Sequence, residues 1–469
     1  MPRLRGNQGR VRHGPDELNS KETAMQSTNE RAVSPLRRNL LSLAALNAGI
    51  LSLPLGMREA LAQGVMGNFP EGVKGNSVFV GLSTPLTGPF SAEGKDQQLG
   101  YELAVEHLNS GKWAGLIPEL KAKGVLGKRI ELGVADDETK PEAAIQAQTR
   151  FLRNNKAIMM TGCFSSAVTV ALGKLATREK VLYMAGPAGS DDVTGKDCQR
   201  FSFRSQPSTY MAAKALAPVL AEKLGKDRKV AYLVPDYTFG HTQYNAMVRF
   251  MERLGWKVAT KQVCPIGTAD YSTYLLNIAN SGADVFVNCT VGNDASLSIK
   301  QARTFGVLKN TALVVPTLQP FLAQQLGAEV MQGVWGVMDF WWSLADNNPV
   351  ARLFVDDFAA KHKYKPHWPA HIAYNQMQLW AIAVTRAGSF HPLEVIKQLE
   401  SEKPMFTSLG DVYYRAGDHQ LIRPVPVMRG KKPSEMKSAD DFYEVVQLVP
   451  GKDTVPPLAE TNCRMGELA

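Results

Sequence analysis

The chain is predicted to form an α/β fold in which two similar lobes each contain a parallel, doubly wound sheet. Three observations support this prediction. Short apolar strand segments alternate with amphipathic helix segments from Ser77 onward, the same alternation restarts at Lys229, and the two series separate near Gln206 and Pro207. Such alternation with short connections is typical of parallel sheets covered by helices on both faces.

The first series opens with a buried strand at 77–82 and a loop rich in proline and glycine at 84–89. A helix is predicted from about 97 to 108. Acidic residues and Pro141 follow the second strand, which indicates a helix start, because the macrodipole favours negative charge there. The remaining strands of this series are predicted at 129–135, 157–160 and 181–185.

The second series has the same pattern, with a helix near 241–254 after its first strand. A third region follows from about Gly333 and contains one long helix with apolar positions between 372 and 384. After it comes a strand-rich end through 442–448, and the tail beyond Pro450 is expected to be loosely ordered. The strands of the second series are predicted at 229–234, 257–263, 283–288 and 311–315.

The first 62 residues are interpreted as a signal segment. Arg37 and Arg38 precede an apolar run that reaches Leu55, and the run ends in the small-x-small pattern at Ala60–Ala62 that a signal peptidase cleaves. The run is too short and too interrupted for a transmembrane helix. The adjacent arginines resemble a twin-arginine export signal, although an ordinary secretory signal also fits. We therefore expect cleavage after Ala62 and a periplasmic mature protein.

Composition excludes several classes of function. The net charge of the chain is +9, and the nine Lys/Arg and five Asp/Glu of residues 1–62 leave only +5 on the remainder, which gives no support to nucleic-acid binding. No cofactor-binding or catalytic motif is present. His367 and His371 are four residues apart, but nearby prolines make a helical metal pair improbable there. We therefore expect no metal, no cofactor and no enzyme activity.

The five cysteines form no CxxC pair, which argues against zinc. One bridge is plausible in an oxidising compartment, with an odd thiol left over. Spacing does not determine the connectivity. Pairing of Cys163 with Cys198 is preferred, because both residues are expected near consecutive strand ends of the same lobe.

Ligand-binding loops are expected at the carboxyl ends of the strands, where open α/β sheets bind their ligands. Several of these loops combine small residues with hydroxyl groups next to a helix start, an arrangement that holds a carboxylate or a similar anion. Each loop alone is also compatible with a plain turn, but their recurrence in both lobes indicates a cleft. The loops are 84–94, 162–166, 186–190, 235–240, 290–294 and 316–319.

Over roughly residues 77–449 the chain resembles the branched-chain amino-acid-binding (Leu/Ile/Val-binding) family of type I periplasmic binding proteins. The resemblance rests on segments 85–90, 136–141, 162–166, 236–240, 270–272 and 373–374. It implies two Rossmann-like lobes joined by a three-crossing hinge, with a solute enclosed between them. The implied lobes are 77–206 plus 334–410 and 207–333 plus 411–449, followed by the tail at 450–469.

The resemblance also implies ligand contacts, which carry over unevenly. The serine after the third strand matches Ser165, and the anion-binding backbone after the fourth strand matches Ala188. Gly189 stands where the family has a hydroxyl, unless Ser190 supplies it, and the acidic partner of the ligand ammonium falls at Leu318–Gln319, which is uncharged. The full predicted site is Phe90, Glu93, Phe164, Ser165, Ser166, Ala188, Gly189, Ser190, Tyr237, Phe239, Asn293 and Gln319.

These patterns predict a receptor that closes on a small solute (an amino acid, an amide or an aromatic acid) and delivers it to the permease of an ABC transporter. A sensory module that reports its ligand to a membrane signalling protein is the alternative. The missing acidic partner favours a solute other than a plain aliphatic amino acid, although Glu93 could supply an anion. Trp341 or Trp342 could add an aromatic wall, or could pack between the lobes.

Overall fold

The computed structural model describes residues 64–466. The predicted signal segment, including Arg37, Arg38 and the cleavage site after Ala62, lies outside these residues. The chain from Val65 onward forms one structural unit, which contains two large sheets. Among the described residues, no helix combines the length and the apolar character needed to cross a bilayer.

The first sheet has five parallel strands in the order β2-β1-β3-β4-β5, and the order reverses direction beside β1 as in a doubly wound fold. Its central strands are buried on both faces, because helices cover both sides. The strands are β1 (Ser77–Thr84), β2 (Arg129–Asp136), β3 (Met159–Gly162), β4 (Leu182–Ala185) and β5 (Ser202–Arg204). The helices between them are α1 (Ser91–Ser110), α2 (Pro141–Asn154) and α3 (Ser166–Glu179).

The second lobe repeats this construction. Its strands β6 (Lys229–Pro235), β7 (Lys257–Cys264), β8 (Val285–Asn288), β9 (Ala312–Thr317) and β10 (Trp335–Val337) are parallel. Its helices are α4 (Thr209–Leu224), α5 (Thr238–Glu252), α6 (Ser272–Ala279), α7 (Gly292–Thr304), α8 (Val307–Asn310), α9 (Pro320–Leu326) and α10 (Ala328–Met331).

The chain then returns to the first lobe and crosses back once more. The returning segment contains α11 (Pro349–His362), α12 (Trp368–Ala387), α13 (Pro392–Leu399) and a small antiparallel sheet of β11 (Met405–Thr407), β12 (Gly410–Tyr414) and β13 (Leu421–Ile422). The final strands, β14 (Val425–Gly430) and β15 (Tyr443–Val449), pair antiparallel at the edge of the second sheet, beside β10. The lobes are thus joined by three crossings, which confirms the predicted fold class.

Helix α12 completes the first lobe by packing along α1. Gly100 lets the two helices approach closely, because a Cβ there would lie 2.2 Å from the Ala370 carbonyl oxygen. The hydroxyl of Tyr374 accepts a hydrogen bond from the Trp113 indole at 2.5 Å and bonds the His107 ring at 2.7 Å. These contacts place the start of α12 against the loops that follow the strands of the first sheet.

Two of the implied lobe boundaries need correction. Residues 334–337 belong to the second lobe, because β10 pairs with β9 and β14. Residues 411–422 belong to the first lobe, because β12 pairs with β11 and Gln420 forms a parallel bridge with Arg204. A strand of three residues carries too little pattern to reveal the sheet that it joins.

The cysteine pairing and the expected loose tail are also corrected. Cys198 is bonded to Cys463, with the two Cα atoms 5.6 Å apart, whereas Cys163 is a buried free thiol beside the Thr169 hydroxyl. The chain after Pro450 forms two short helices, α14 (Gly451–Thr454) and α15 (Leu458–Thr461), and Thr454 is fully buried. The described part of the tail is therefore built into the fold and is not loosely ordered.

Candidate functional site

A small cavity lies between the two lobes, at the carboxyl ends of their strands. Its enclosed volume is about 10 Å³, room for about one water molecule, whereas ligand pockets typically have about 300–1,000 Å³, so the lobes must move apart before a solute can enter. Both lobes contribute to its wall, so that separating the lobes would open it. The lining residues are Phe164, Ser166, Pro187, Gly189, Gln206, Tyr237, Phe239, Val291, Thr317 and Trp368.

Four of the ten residues that line the cavity are aromatic. The Phe164 ring stacks on the Trp368 indole with centroids 5.8 Å apart, and its other neighbour is Phe90 at 5.2 Å. The second lobe contributes Tyr237 and Phe239, whose ring centroids are 5.8 Å apart. None of the ten lining residues carries a charge. This wall suits a flat, largely apolar group better than a charged one.

The first turn of α3 supplies hydrogen-bond donors at one end of the cavity. The first backbone amide that bonds within this helix is that of Thr169, which donates to the Ser165 carbonyl, so the amides before it have no intrahelical acceptor. The Ser165 side chain does not cap the helix. Ser166 follows it and lines the cavity. Free amides and the macrodipole together favour a negatively charged group at this position.

The loop after β4 is held from behind by a buried guanidinium. Arg204 is fully buried and donates to the carbonyl oxygens of Ala188 (3.2 Å) and Ser190, and also to the Gln420 side chain at 2.8 Å. Burial lowers the pKa of this guanidinium to about 10. Because the carbonyl groups are held on the side of Arg204, the position of Gly189 beside the cavity is fixed.

Glu93 is a buried acid near the cavity. It is 2% exposed, and its Oε2 atom has no hydrogen-bond partner among the described residues. Burial, with a smaller contribution from the nearby negative charge of Asp96, raises its pKa to about 7. The Tyr237 hydroxyl also has a raised pKa, mainly through burial and in part through the charges of Asp294 and Glu93. Glu93 therefore exchanges a proton near neutral pH.

The lobes touch each other around the cavity, so the structure is a closed form. The Asn293 amide donates to the Pro89 carbonyl at 3.2 Å, which joins the two lobes at the mouth. On another side, the Ser190 and Thr238 hydroxyls lie 2.9 Å apart. The indole of Trp368 in the first lobe donates to the Leu318 carbonyl at 3.2 Å.

Five of the predicted site residues line the cavity: Phe164, Ser166, Gly189, Tyr237 and Phe239. The other seven lie around it without lining it. Phe90 packs behind Phe164, Glu93 is buried nearby, Ser165 precedes α3, and Ala188 binds Arg204 through its carbonyl. The Ser190 hydroxyl bonds the Thr238 hydroxyl, and Asn293 is exposed. The Gln319 carbonyl accepts a hydrogen bond from the Tyr443 hydroxyl, and the Gln319 side-chain oxygen accepts one from the Gly292 amide.

The predicted set of site residues omits five residues that line the cavity. Pro187, Val291 and Thr317 lie in loops that the sequence predicts to bind the ligand, whereas Gln206 and Trp368 lie outside them. Trp368 had a detectable signal, since it opens the long helix directly after a segment with prolines. Trp341 and Trp342 do not line the cavity: Trp341 packs edge-on against Tyr443, with centroids 5.4 Å apart. Trp341 therefore packs against another side chain and forms no part of the aromatic wall of this cavity.

The His367 and His371 rings contact different neighbours. His367 bonds the Gln324 side chain across the lobes at 3.1 Å, and His371 stacks on Phe340. Within the part of the chain that the structure describes, no group of three or more His, Cys, Asp or Glu residues is arranged to hold a metal ion. Both histidines are accounted for by packing and hydrogen bonds.

Comparison with known proteins gives a consistent family. The model of the family described as "Periplasmic binding protein" matches residues 77–435. A relative from Brucella suis, "Leu/Ile/Val-binding protein homolog 7", is 27% identical over 300 residues, which cover 61% of this chain and 71% of the relative. A periplasmic binding protein of Burkholderia mallei superposes with a TM-score of 0.75 at 25% identity, covering 84% of this chain and 100% of the other.

A third similar structure is a solute-binding protein of an ABC transporter from R. palustris in complex with benzoate. Its TM-score is 0.69 at 19% identity, and the match covers 83% of this chain and 100% of the other. At this identity the likeness shows the shared fold alone. Because the family model matches most of the chain, the protein belongs to the periplasmic binding protein family.

Proposed function

We propose that this chain is the extracytoplasmic solute receptor of an ABC uptake transporter, and that it encloses a small aromatic carboxylic acid. The observation that carries this proposal is the composition of the cavity between the lobes. Phe164, Tyr237, Phe239 and Trp368 provide flat apolar surface, and the first turn of α3 provides free amides for one anionic group.

The same cavity argues against a plain aliphatic amino acid. A buried ammonium group needs an anion, because leaving a charge unpaired costs about 3–5 kcal/mol. No lining residue is acidic, and Gln319, at the position where the family has its acid, uses its side-chain oxygen to accept from the Gly292 amide at 2.9 Å. An aromatic carboxylate has no ammonium group, and the amides in the first turn of α3 would stabilise its negative charge.

The receptor would act by binding alone, without chemistry of its own. Closure around the solute excludes water and strengthens each charge-assisted hydrogen bond. Hinge motion about the three crossings would open and close the cavity, and the closed form would dock on a permease. Export of the chain through its signal segment, by the twin-arginine or the general route, would place it in the periplasm with Gln63 as the mature N-terminus.

Calorimetric titration with benzoate, benzamide and leucine tests the solute class. We expect benzoate to bind and benzamide to bind at least about tenfold more weakly, since hydrogen bonds to a charged group contribute about 1.5–3 kcal/mol. Ser166→Ala should weaken benzoate binding, because Ser166 lines the cavity and its oxygen accepts from the Ser190 amide at 3.2 Å, which leaves the hydroxyl hydrogen for the carboxylate. Ser110→Ala, at the exposed end of α1, is the matched control and should leave the affinity unchanged.

Micromolar leucine binding that is lost in Glu93→Gln would contradict the aromatic-acid proposal and would make Glu93 the partner of an amino-acid ammonium. Turnover of a bound solute would contradict the receptor proposal itself. N-terminal sequencing of the exported protein tests the signal segment: retention of residues before Gln63 would argue against cleavage after Ala62. Replacement of Arg37 and Arg38 by lysine should block export only on the twin-arginine route.

A further inference from the structure

Residues 450–463, which follow β15, cross the hinge region a further time. We call this segment the strap. It leaves the second lobe after β15, and its first residues lie against the third crossing, where a Cβ on Gly451 would be 2.3 Å from the Arg423 carbonyl oxygen. The strap lies beyond residue 435, where the match to the family model ends.

One set of contacts fixes the strap to the second lobe. Helix α14 packs against α4, and Val455 packs against the hydrophobic core on one face of the second sheet. Farther along, the Glu460 carboxylate accepts from Arg249 of α5 at 2.5 Å. These contacts hold the strap along the helices that border the lobe interface.

Another set of contacts fixes the strap to the first lobe. Arg415, which follows β12, donates to the Pro456 carbonyl at 2.7 Å. The Thr461 carbonyl lies against Gly195, where a Cβ would approach it to 2.7 Å. The covalent link follows at Cys463, whose partner Cys198 lies between the 3-10 turn Asp191–Thr194 and β5. The strap therefore ends on the first lobe.

The strap also covers the side of the hinge where the lobes face each other. A polar cavity of about 230 Å³ lies beneath it, lined by Arg204 and Gln420 of the first lobe and by Glu460 and Thr461 of the strap. The contact between Ser190 and Thr238, which joins the lobes, lies at this side. Opening of the lobes would draw α5 away from the 3-10 turn, and the strap is fixed to both.

We propose that the strap is a fourth connection between the lobes, closed by the Cys198–Cys463 disulfide, and that it restrains their opening. The disulfide holds the end of the strap on the first lobe, and the contacts with α4 and α5 hold the rest of the strap on the second lobe. The strap therefore resists separation of the two lobes. When the bridge is intact, the opening angle is limited. When it is cleaved, the strap stays with the second lobe and the lobes separate further. This proposal concerns the hinge and does not depend on the identity of the solute.

Reduction by a dithiol reagent cleaves the bridge in a balanced step. The S–S bond breaks, each sulfur receives one electron and one proton, and the reagent becomes a cyclic disulfide. The three free thiols, Cys163, Cys264 and Cys289, are buried and take no part. Mass spectrometry after alkylation of the exposed thiols therefore measures how completely the bridge has been reduced.

Small-angle X-ray scattering on the whole, dialysed protein tests the restraint. We expect a larger radius of gyration after reduction of the wild type by dithiothreitol, and the same increase in Cys463→Ser without reductant. Glu460→Gln should give a smaller increase while the disulfide remains. Because both ends of the strap act in series, Glu460→Gln should add little to Cys463→Ser. Lys452→Gln, an exposed strap residue without a described contact, is the matched control and should change nothing.

A radius of gyration that is unchanged by complete reduction and by Cys463→Ser would overturn the proposal. Unfolding of the wild type on reduction, followed by circular dichroism, would also overturn it, because the bridge would then be a requirement of the fold and not a restraint on opening. If Cys463→Ser does not fold, reduction of the folded wild type still decides between these outcomes. The receptor proposal is tested separately by titration, so the failure of either one is distinguishable.

Discussion

The buried acid Glu93 should make the stability of the protein depend on pH in a way that one substitution removes. Its pKa is raised from 4.5 to about 7, chiefly by burial. Between these two values the folded protein binds a proton that the unfolded chain does not. The free energy of unfolding therefore falls as the pH rises from 4.5 through 7, and this contribution is constant above and below that window.

The size of the effect follows from the shift in pKa. A tenfold change in an equilibrium corresponds to about 1.4 kcal/mol, so moving the pKa from 4.5 to about 7 is equivalent to about 3 kcal/mol. Glu93→Gln keeps the shape of the protonated acid and removes the charge. We expect the variant to have about the same stability as the wild type at pH 4.5 and to be more stable by up to about 3 kcal/mol above pH 7.

Urea unfolding followed by tryptophan fluorescence, at intervals from pH 4.5 to 8.5, measures this difference. Comparison of the variant with the wild type isolates Glu93 from Asp96 and Asp137, whose pKa values are also raised to about 7 by burial. Glu131→Gln, which removes an exposed carboxylate on β2, is the control and should show no such trend. A stability difference between Glu93→Gln and the wild type that stays constant across the range would refute the reasoning.

Three further outcomes follow from other contacts. Asp339→Ala removes the partner of the buried Arg423 guanidinium, 2.7 Å away, and should lower the free energy of unfolding in urea by about 3–5 kcal/mol. Lys397→Ala, which breaks an exposed ion pair with Glu394, is the control and should change this free energy by less than about 1 kcal/mol. Trp368→Ala should cost about 3–5 kcal/mol in urea unfolding, because the indole is 1% exposed and stacks on Phe164. Gly189→Ala places a Cβ 3.0 Å from the Phe239 ring, so benzoate affinity in calorimetry should fall while stability changes by less than about 1.5 kcal/mol; unchanged affinity would show that the solute lies elsewhere.

The architecture was predictable because strand and helix periodicities are local properties. The apolar segments at 77–82 and 229–234 coincide with the first strands of the two sheets, and the loops after the strands meet at the cavity, as parallel sheets require. The short strand β10 was assigned to the wrong lobe, because three residues show no alternation. Its pairing with β9 and β14 depends on strands distant in the chain.

Contacts between distant segments could not be predicted from the sequence. Trp368 reaches the cavity because α12 packs on α1, which brings residues more than 260 positions apart into contact. The Cys198–Cys463 pair has a sequence separation of 265, and no local pattern distinguishes it from the other pairings of five cysteines. Ser190 was assigned to the ligand, whereas its hydroxyl bonds Thr238 of the opposite lobe.

The packing of α12 on α1 has a consequence for the order in which the protein folds. The His107 and Tyr374 side chains that hold the two helices together are 267 positions apart, and most of the second lobe, from β6 to β10, lies between them in the chain. Before α12 is synthesised, α1 exposes the apolar face that α12 will cover, so a nascent first lobe cannot reach its native core. Native contacts of such large sequence separation form slowly, because loop closure costs entropy first. We therefore expect the growing chain to depend on chaperones until its last hundred or so residues have emerged, and the folded state to appear only after synthesis is complete.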